Sequence, residues 1–199
     1  MRRERVIAIL RRIPPDALEP VVAALADGGI RIVEVTLDSD DALDQLARAA
    51  RSELLVGAGT VTTVEDVDRA VSAGARFCAA PTTNGAVVRR CAELGIAAIP
   101  GALTPTEIAA AAALGAPLVK LFPAGSVGPD YVRSLAAPLG NVPLVATGGV
   151  DETNAGAFLD AGAVAVGIGS SLVSRERIAS ERWDELRTAA QFVVSLRPP

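Results

Sequence analysis

Leu54-Leu-Val-Gly-Ala-Gly-Thr-Val-Thr-Thr-Val-Glu-Asp-Val-Asp-Arg-Ala-Val-Ser-Ala-Gly74 decides the fold. The apolar run Leu54–Ala58 has the length of a buried strand. Thr62 and Glu65 stand three apart in the pattern of a capping box, so a helix is expected to begin there. Gly74 sits where that helix should stop and hand over to the next apolar run. The stretch is therefore one complete strand-then-helix unit.

The same unit recurs on both sides of it. Apolar runs stand at Val6–Leu10, Ile30–Leu37, Arg76–Ala80, Ile96–Ile99, Leu118–Phe122, Val142–Ala146 and Ala163–Ile168, a little over 20 residues apart. Between the first two, Leu18, Val21, Val22 and Leu25 share one helical face before Gly28-Gly29 ends the turn. Thr104-Pro-Thr-Glu107 adds proline at the first helical position to a second capping box. Gly95, Gly115 and Gly162 repeat the stop signal.

Eight units without a linker suggest a closed barrel or an open doubly wound sheet. Eight is the number that closes a barrel, and 199 residues lies at the lower bound for it. No GxGxxG follows the first strand, which weakens the dinucleotide-binding alternative. The expected fold is α/β, a single-domain (β/α)8 TIM barrel over residues 1–199.

Composition narrows the function. Hydrophobic residues at 50% and charged residues at 21% argue against disorder, and aromatics at 3% leave the core to Ala, Val, Ile and Leu. A net charge of −4 offers no broad basic surface, so no nucleic-acid partner is expected. No histidine is present, which removes Ser-His-Asp and Cys-His nucleophile systems and most zinc or iron sites; no metal and no cofactor are expected. Cys78 and Cys91 lack a CxxC spacing and read as reduced, buried thiols of a cytoplasmic protein. The longest uncharged stretch, Ser134 to Val150, is broken by Pro138, Gly140, Asn141, Pro143 and Gly148, so no membrane span is expected. The basic start Met1-Arg-Arg-Glu-Arg5 is followed only by Val6 to Leu10, too short for a signal sequence.

Active sites in such barrels gather at the C-terminal ends of the strands. Those positions carry Arg11, Glu34, Thr36, Thr60, Pro81, Pro100-Gly101, Lys120, Phe122, Thr147-Gly148-Gly149 and Gly169-Ser170. Of the 19 basic residues 18 are arginine, and the single lysine is Lys120, inside Pro117-Leu-Val-Lys-Leu-Phe-Pro123. Burial favours its uncharged amine, which can attack a ketone to form a Schiff base. Arginine forms ion pairs well but not imines, which weighs against a lysine kept only for pairing. Glu34 alternates with Ile32 and Thr36 and so points into the barrel. It reads as a general acid/base, or as a counter-charge to Arg11 or Lys120. Thr60 offers a hydroxyl among small neighbours. Thr147-Gly-Gly149 and Gly167-Ile-Gly-Ser-Ser171 end the last two strands with exposed N–H groups suited to a phosphate.

Glu34-Val-Thr-Leu37, Gly57-Ala-Gly-Thr60, Pro100-Gly101 with Thr104-Pro-Thr-Glu107, Lys120-Leu-Phe-Pro123, Thr147-Gly-Gly149 and Gly169-Ser170 together resemble the 2-keto-3-deoxy-6-phosphogluconate (KDPG) / 4-hydroxy-2-oxoglutarate (KHG) aldolases. The resemblance runs from about Val6 to Val173, one motif per strand and in the same order. It implies a metal-free class I aldolase that releases pyruvate, with glyceraldehyde 3-phosphate or glyoxylate as the second product. It implies that Lys120 forms the imine and that Glu34 moves protons, through a water. Thr60 would hold the pyruvate carboxylate, Pro81 and Phe122 would wall the pocket, and Thr147 would face the substrate. Gly148, Gly149, Gly169 and Ser170 would cradle a phosphate. The partner implied is a small 2-keto acid, phosphorylated, and the assembly a homotrimer.

Three departures stand out. Asp38 occupies a position where some members have a carboxylate-binding arginine, which leaves Arg11 and Thr60 to supply that affinity. Ala146 replaces a frequent proline, and the segment before the first strand is short. Two further readings stay open: the same lysine chemistry on another substrate such as 2-keto-3-deoxy-6-phosphogalactonate, and a phosphometabolite-binding barrel without turnover. Trp183, Phe192 and Val193 are read as core contacts of the last helix or as part of a subunit contact.

Overall fold

The computed structural model describes residues 4–196. Met1, Arg2 and Arg3 of the basic start lie outside the described residues. Nine strands form one parallel sheet: β1 Val6–Leu10, β2 Ile32–Thr36, β3 Leu55–Gly59, β4 Phe77–Ala79, β5 Ala97–Ile99, β6 Gly101–Ala102, β7 Val119–Leu121, β8 Leu144–Thr147 and β9 Ala165–Ile168. They are ordered β5-β4-β3-β2-β1-β9-β8-β7-β6. The two ends of that order, β5 and β6, are separated in the chain by Pro100 alone, so the sheet curls into a ring. The Pro100 carbonyl accepts a hydrogen bond from the Lys120 N–H at 2.8 Å, and Ala80 N–H donates to Ile99 O at 3.1 Å.

The expected strand Ile96–Ile99 is present as β5, and a second stub, β6, follows it where Pro100-Gly101 reads in sequence as the strand's end. Proline has no N–H to give the ladder, so the strand breaks at Pro100 and resumes at Gly101. With the stubs counted as one strand, the barrel has the eight staves that the sequence suggests.

Helices cover the outside: α1 Leu18–Asp27, α2 Ala42–Ala49, α3 Val64–Ser72, α4 Gly85–Glu93, α5 Pro105–Ala113, α6 Gly128–Leu139, α7 Ala155–Asp160, α8 Arg175–Ala179 and α9 Trp183–Ser195. The α5 box forms as read, Thr104 Oγ1 accepting from Glu107 N–H and Glu107 Oε2 from Thr104 N–H. The α3 box is one residue later than read. Thr63 is the cap and Asp66 its partner, and the Asp66 carboxylate also takes the N–H of Thr62. In both boxes one carboxylate oxygen takes two successive N–H groups, Thr62 and Thr63 for Asp66 and Leu103 and Thr104 for Glu107. Gly74, Gly95, Gly115 and Gly162 all follow helix ends with positive φ.

Strand alternation divides the core in two. Val6, Ala8, Leu10, Val33 and Val35 point outward and are buried beneath the helices. Ile7, Ile32, Phe77, Ala79, Ile99, Val145 and Ala165 point inward and fill the lower barrel. Phe77 supplies the bulk there: its ring lies where a side chain on Gly57 would be, so one aromatic fills the space across the barrel. Above this plug the inward positions become Glu34, Lys120, Thr36 and Thr147, the buried polar residues of the barrel's other end.

In α9, Val193 is buried, Trp183 packs partly buried against the outer core, and Phe192 faces solvent at 51% exposure. Cys78 and Cys91 are free and buried, and the Cys78 thiol, donating to Cys91 Sγ and buried, is pushed up. No helix among the described residues is long and apolar enough to cross a membrane.

Candidate active site

Glu34 and Lys120 reach the same point from opposite sides of the ring. Glu34 is third in β2 and Lys120 second in β7. Period-two alternation turns both inward, above Ile32 and Leu118 respectively. Lys120 Nζ lies 3.3 Å from Glu34 Oε1, with the side chains 9% and 4% exposed. Of the two counter-charge alternatives, Lys120 is the one that Glu34 meets. A pair this deep must compensate its own desolvation, which a cavity open to substrate does better than a closed core. Nζ also stands 5.6 Å from the centroid of the Phe122 ring, within cation–π range.

The backbone makes room for this pair. A Cβ on Gly59 would overlap the Glu34 carboxylate, so the glycine at the end of β3 is what admits the acid. Thr60 follows with φ +60°, in the left-handed region where a β-branched residue is strained by about 1–3 kcal/mol. That conformation sets Thr60 on the cavity wall. Thr36 anchors its hydroxyl on Leu10 O at 3.3 Å.

These side chains line a cavity of about 400 Å³ at the C-terminal ends of the strands. Arg11, Glu34, Thr36, Thr60, Pro81, Lys120, Phe122, Thr147, Gly148, Gly149, Gly169 and Ser170, all read from the sequence as strand-end positions, reach it. Pro100-Gly101 does not; it closes the barrel instead, with Gly101 packed under the Pro81 carbonyl. Ile9, Val150 and Asp151 also line the cavity and were not singled out. Ile9 was legible as the inward neighbour of Arg11 by alternation. Asp151 looks in sequence like an ordinary cap, and it does cap: Oδ1 accepts from Thr153 N–H, Thr153 Oγ1–H and Asn154 N–H. The Thr153 hydroxyl first, and these N–H groups, hold the Asp151 carboxyl below the usual range.

At the β8–β9 side the chain turns through Gly148 and Gly149, both with positive φ. Asn154 Nδ2 donates to Gly149 O at 3.0 Å, and Gly125 N–H to Gly148 O at 2.7 Å. Both carbonyls are therefore tied back, and both glycines line the cavity, where a backbone without side chains lets an anion approach closely. On the β1–β2 side Arg11 bonds Asp38 through Nε at 2.8 Å and Nη2 at 2.7 Å. Among the described residues no three His, Cys, Asp or Glu side chains gather as a metal site would need.

Residues 1–189 match the family model "KDPG and KHG aldolase". A probable 2-dehydro-3-deoxy-6-phosphogalactonate aldolase of Rhizobium meliloti is 39% identical over 171 residues, 84% of this chain and 81% of that protein. The 2-dehydro-3-deoxy-6-phosphogalactonate aldolase of Escherichia coli K12 is 35% identical over 96% of this chain and 94% of its own. In solved structures, the KDPG aldolase of Legionella pneumophila, with pyruvate captured at low pH as a covalent carbinolamine intermediate, superposes with TM-score 0.87. It is 27% identical, covering 96% of this chain and 94% of that one. With a barrel of matching topology and a family match over nearly its whole length, this chain belongs to the KDPG and KHG aldolases and is a lyase.

Proposed function

We propose that this chain is a class I aldolase that cleaves a phosphorylated 2-keto-3-deoxy sugar acid to pyruvate and glyceraldehyde 3-phosphate through an imine on Lys120. The observation that carries the reading is the Lys120–Glu34 pair, a single amine and a carboxylate 3.3 Å apart inside a cavity that Gly148, Gly149, Gly169 and Ser170 also line. The Legionella neighbour, with pyruvate held as a carbinolamine, supports it.

The chemistry follows from this placement. Lys120 passes its proton toward Glu34 and adds as a neutral amine to the C2 ketone. The C2 oxygen takes one proton from the added nitrogen and one back from Glu34 and leaves as water, giving a protonated imine and restoring the Glu34 carboxylate. Glu34, through a water, takes the proton of the C4 hydroxyl. The C3–C4 bond breaks, its electron pair enters the iminium to form an enamine, and the aldehyde departs. Glu34 returns its proton to C3, and hydrolysis releases pyruvate and the free lysine. Thr60 holds the carboxylate, Pro81 and Phe122 wall the pocket, and Thr147 faces the reacting carbons. Gly148, Gly149, Gly169 and Ser170 receive the phosphate.

The names of the two relatives favour the galactonate epimer at C4 as substrate, and the family's range adds 4-hydroxy-2-oxoglutarate. Pyruvate release from a panel of the two phosphorylated epimers and 4-hydroxy-2-oxoglutarate decides among them. The reading includes a cytoplasmic homotrimer, for which the exposed Leu94, Leu114 and Phe192 are candidate contacts. The test of the chemistry is borohydride reduction in the presence of pyruvate followed by peptide mass analysis. A reduced adduct on Lys120 is expected, and none at saturating pyruvate would leave only an anion-binding barrel.

A further inference from the structure

Arg11 and Asp38 leave the barrel on adjacent staves. Arg11 directly follows β1, and Asp38 lies two residues past the end of β2. Strand β1 stands between β2, which carries Glu34 and Thr36, and β9, which leads into Gly169 and Ser170. A guanidinium on β1 can therefore lean toward either end of a substrate that carries a carboxylate at one end and a second anion at the other. Asp38 decides the lean. Its Oδ2 takes both Nε and Nη2 of Arg11, leaving Nη1 without a partner among the described residues. The carboxylate is itself fixed: it is only 16% exposed, and Arg12 Nε reaches Asp38 O and Oδ2 at 3.4 Å each. Two guanidiniums therefore share this one carboxylate. Asp38 does not itself line the cavity, whereas Arg11 does.

We propose that Asp38 is a positioning residue that pins Arg11 to the β2 side of the cavity mouth, so that this cation serves the keto-acid end of the substrate and not the glycine turns of β8 and β9. The proposal rests on the aldolase reading and adds to it which substrate anion Arg11 serves and what directs it there. Partial burial alone would raise the Asp38 carboxyl; the Thr36 hydroxyl and the two arginines outweigh it and hold the group below its usual range, so the pin stays charged at neutral pH. A charge-assisted, two-point contact on one oxygen restricts a long side chain far more than solvent does.

Removing a negative charge strengthens binding of any nearby anion, so a single KM is a poor readout. The ratio of two KM values cancels that shared effect. In aldol addition by the full-length protein, pyruvate and glyceraldehyde 3-phosphate are varied separately. Asp38→Asn is expected to raise the ratio of pyruvate KM to aldehyde KM by about tenfold, the size of one charge-assisted hydrogen bond. Asp38→Glu restores it at least in part, because a carboxylate again faces Arg11. In an Arg11→Gln background, Asp38→Asn moves the ratio no further, since nothing is left to pin. An unmoved ratio in Asp38→Asn overturns the proposal, and so does a shift that persists without Arg11. A wild-type protein that traps no pyruvate would remove the aldolase reading and this proposal together. A wild type that traps pyruvate while the ratio stays fixed removes the proposal alone.

Discussion

Lys120 Nζ stands 3.3 Å from Glu34 Oε1 although 86 positions separate the two residues in the chain. Each is a poor neighbour for an apolar barrel by itself, and each makes the other tolerable. The pair leaves an amine next to a base in a space that excludes most water. Removing either partner has two separable consequences, one chemical and one structural.

Lys120→Arg keeps the positive charge facing Glu34 but cannot form an imine. Turnover is expected to vanish, and borohydride with pyruvate should leave no adduct. The larger head overfills the site, so a stability loss of about 1–3 kcal/mol accompanies it. Denaturant melting separates the two effects, and wild-type turnover in this variant would refute covalent catalysis.

Glu34→Gln keeps the shape and removes the proton carrier. Cleavage should slow by roughly 10²–10⁴-fold while pyruvate is still captured on Lys120. Steady-state rates combined with adduct yield check this. Unchanged cleavage would reduce Glu34 to a counter-charge.

Gly59→Ala tests the site without touching either reactive side chain. The added methyl overlaps the Glu34 carboxylate, which must swing aside into the cavity and away from Lys120 to admit it. The expected outcome is a fall in kcat like that of Glu34→Gln, plus about 1–3 kcal/mol of destabilisation. A fully active Gly59→Ala enzyme would mean that the acid works from another position.

Ser170→Asp places a negative charge beside the proposed phosphate site. KM for glyceraldehyde 3-phosphate should rise at least tenfold more than KM for unphosphorylated glyceraldehyde. Equal rises for both aldehydes would move the phosphate elsewhere.

The Asp66 cap predicts a pH dependence of stability. Burial works against its charge, yet the N–H groups of Thr62 and Thr63 hold its carboxyl below the usual carboxylate range. The folded state thus binds the proton less readily than the unfolded chain. The stabilisation is present above the unfolded value, near ~4, and is lost as pH falls through the lower folded value. Asp66→Asn should cost about 1 kcal/mol, or roughly 2–4 °C in Tm, at neutral pH. The gap from wild type should close in acid, as calorimetry at several pH values would show.

Much of this was legible because the signals are local. Apolar runs, caps and glycine stops state where strands and helices lie, and eight repeats imply a ring. The errors were also local. A short strand resumes past Pro100, where the sequence reads as the end of the ladder, and the α3 box forms one residue later, on Thr63 and Asp66 in place of Thr62 and Glu65. Ile9, Val150 and Asp151 were missed because an apolar or capping residue looks the same in sequence whether or not a cavity opens beside it.

The sequence by itself determined the chemistry available: one lysine, no histidine, an inward glutamate, and glycines ending the final strands. Those follow from residue type and period-two alternation, which need no knowledge of distant neighbours. Only the tertiary structure decided the pairings. Glu34 meets Lys120 rather than Arg11, and Arg11 meets Asp38, because closing the ring sets which stave faces which across the barrel and which lies alongside. Contacts across 86 positions depend on that closure, and no local pattern encodes it.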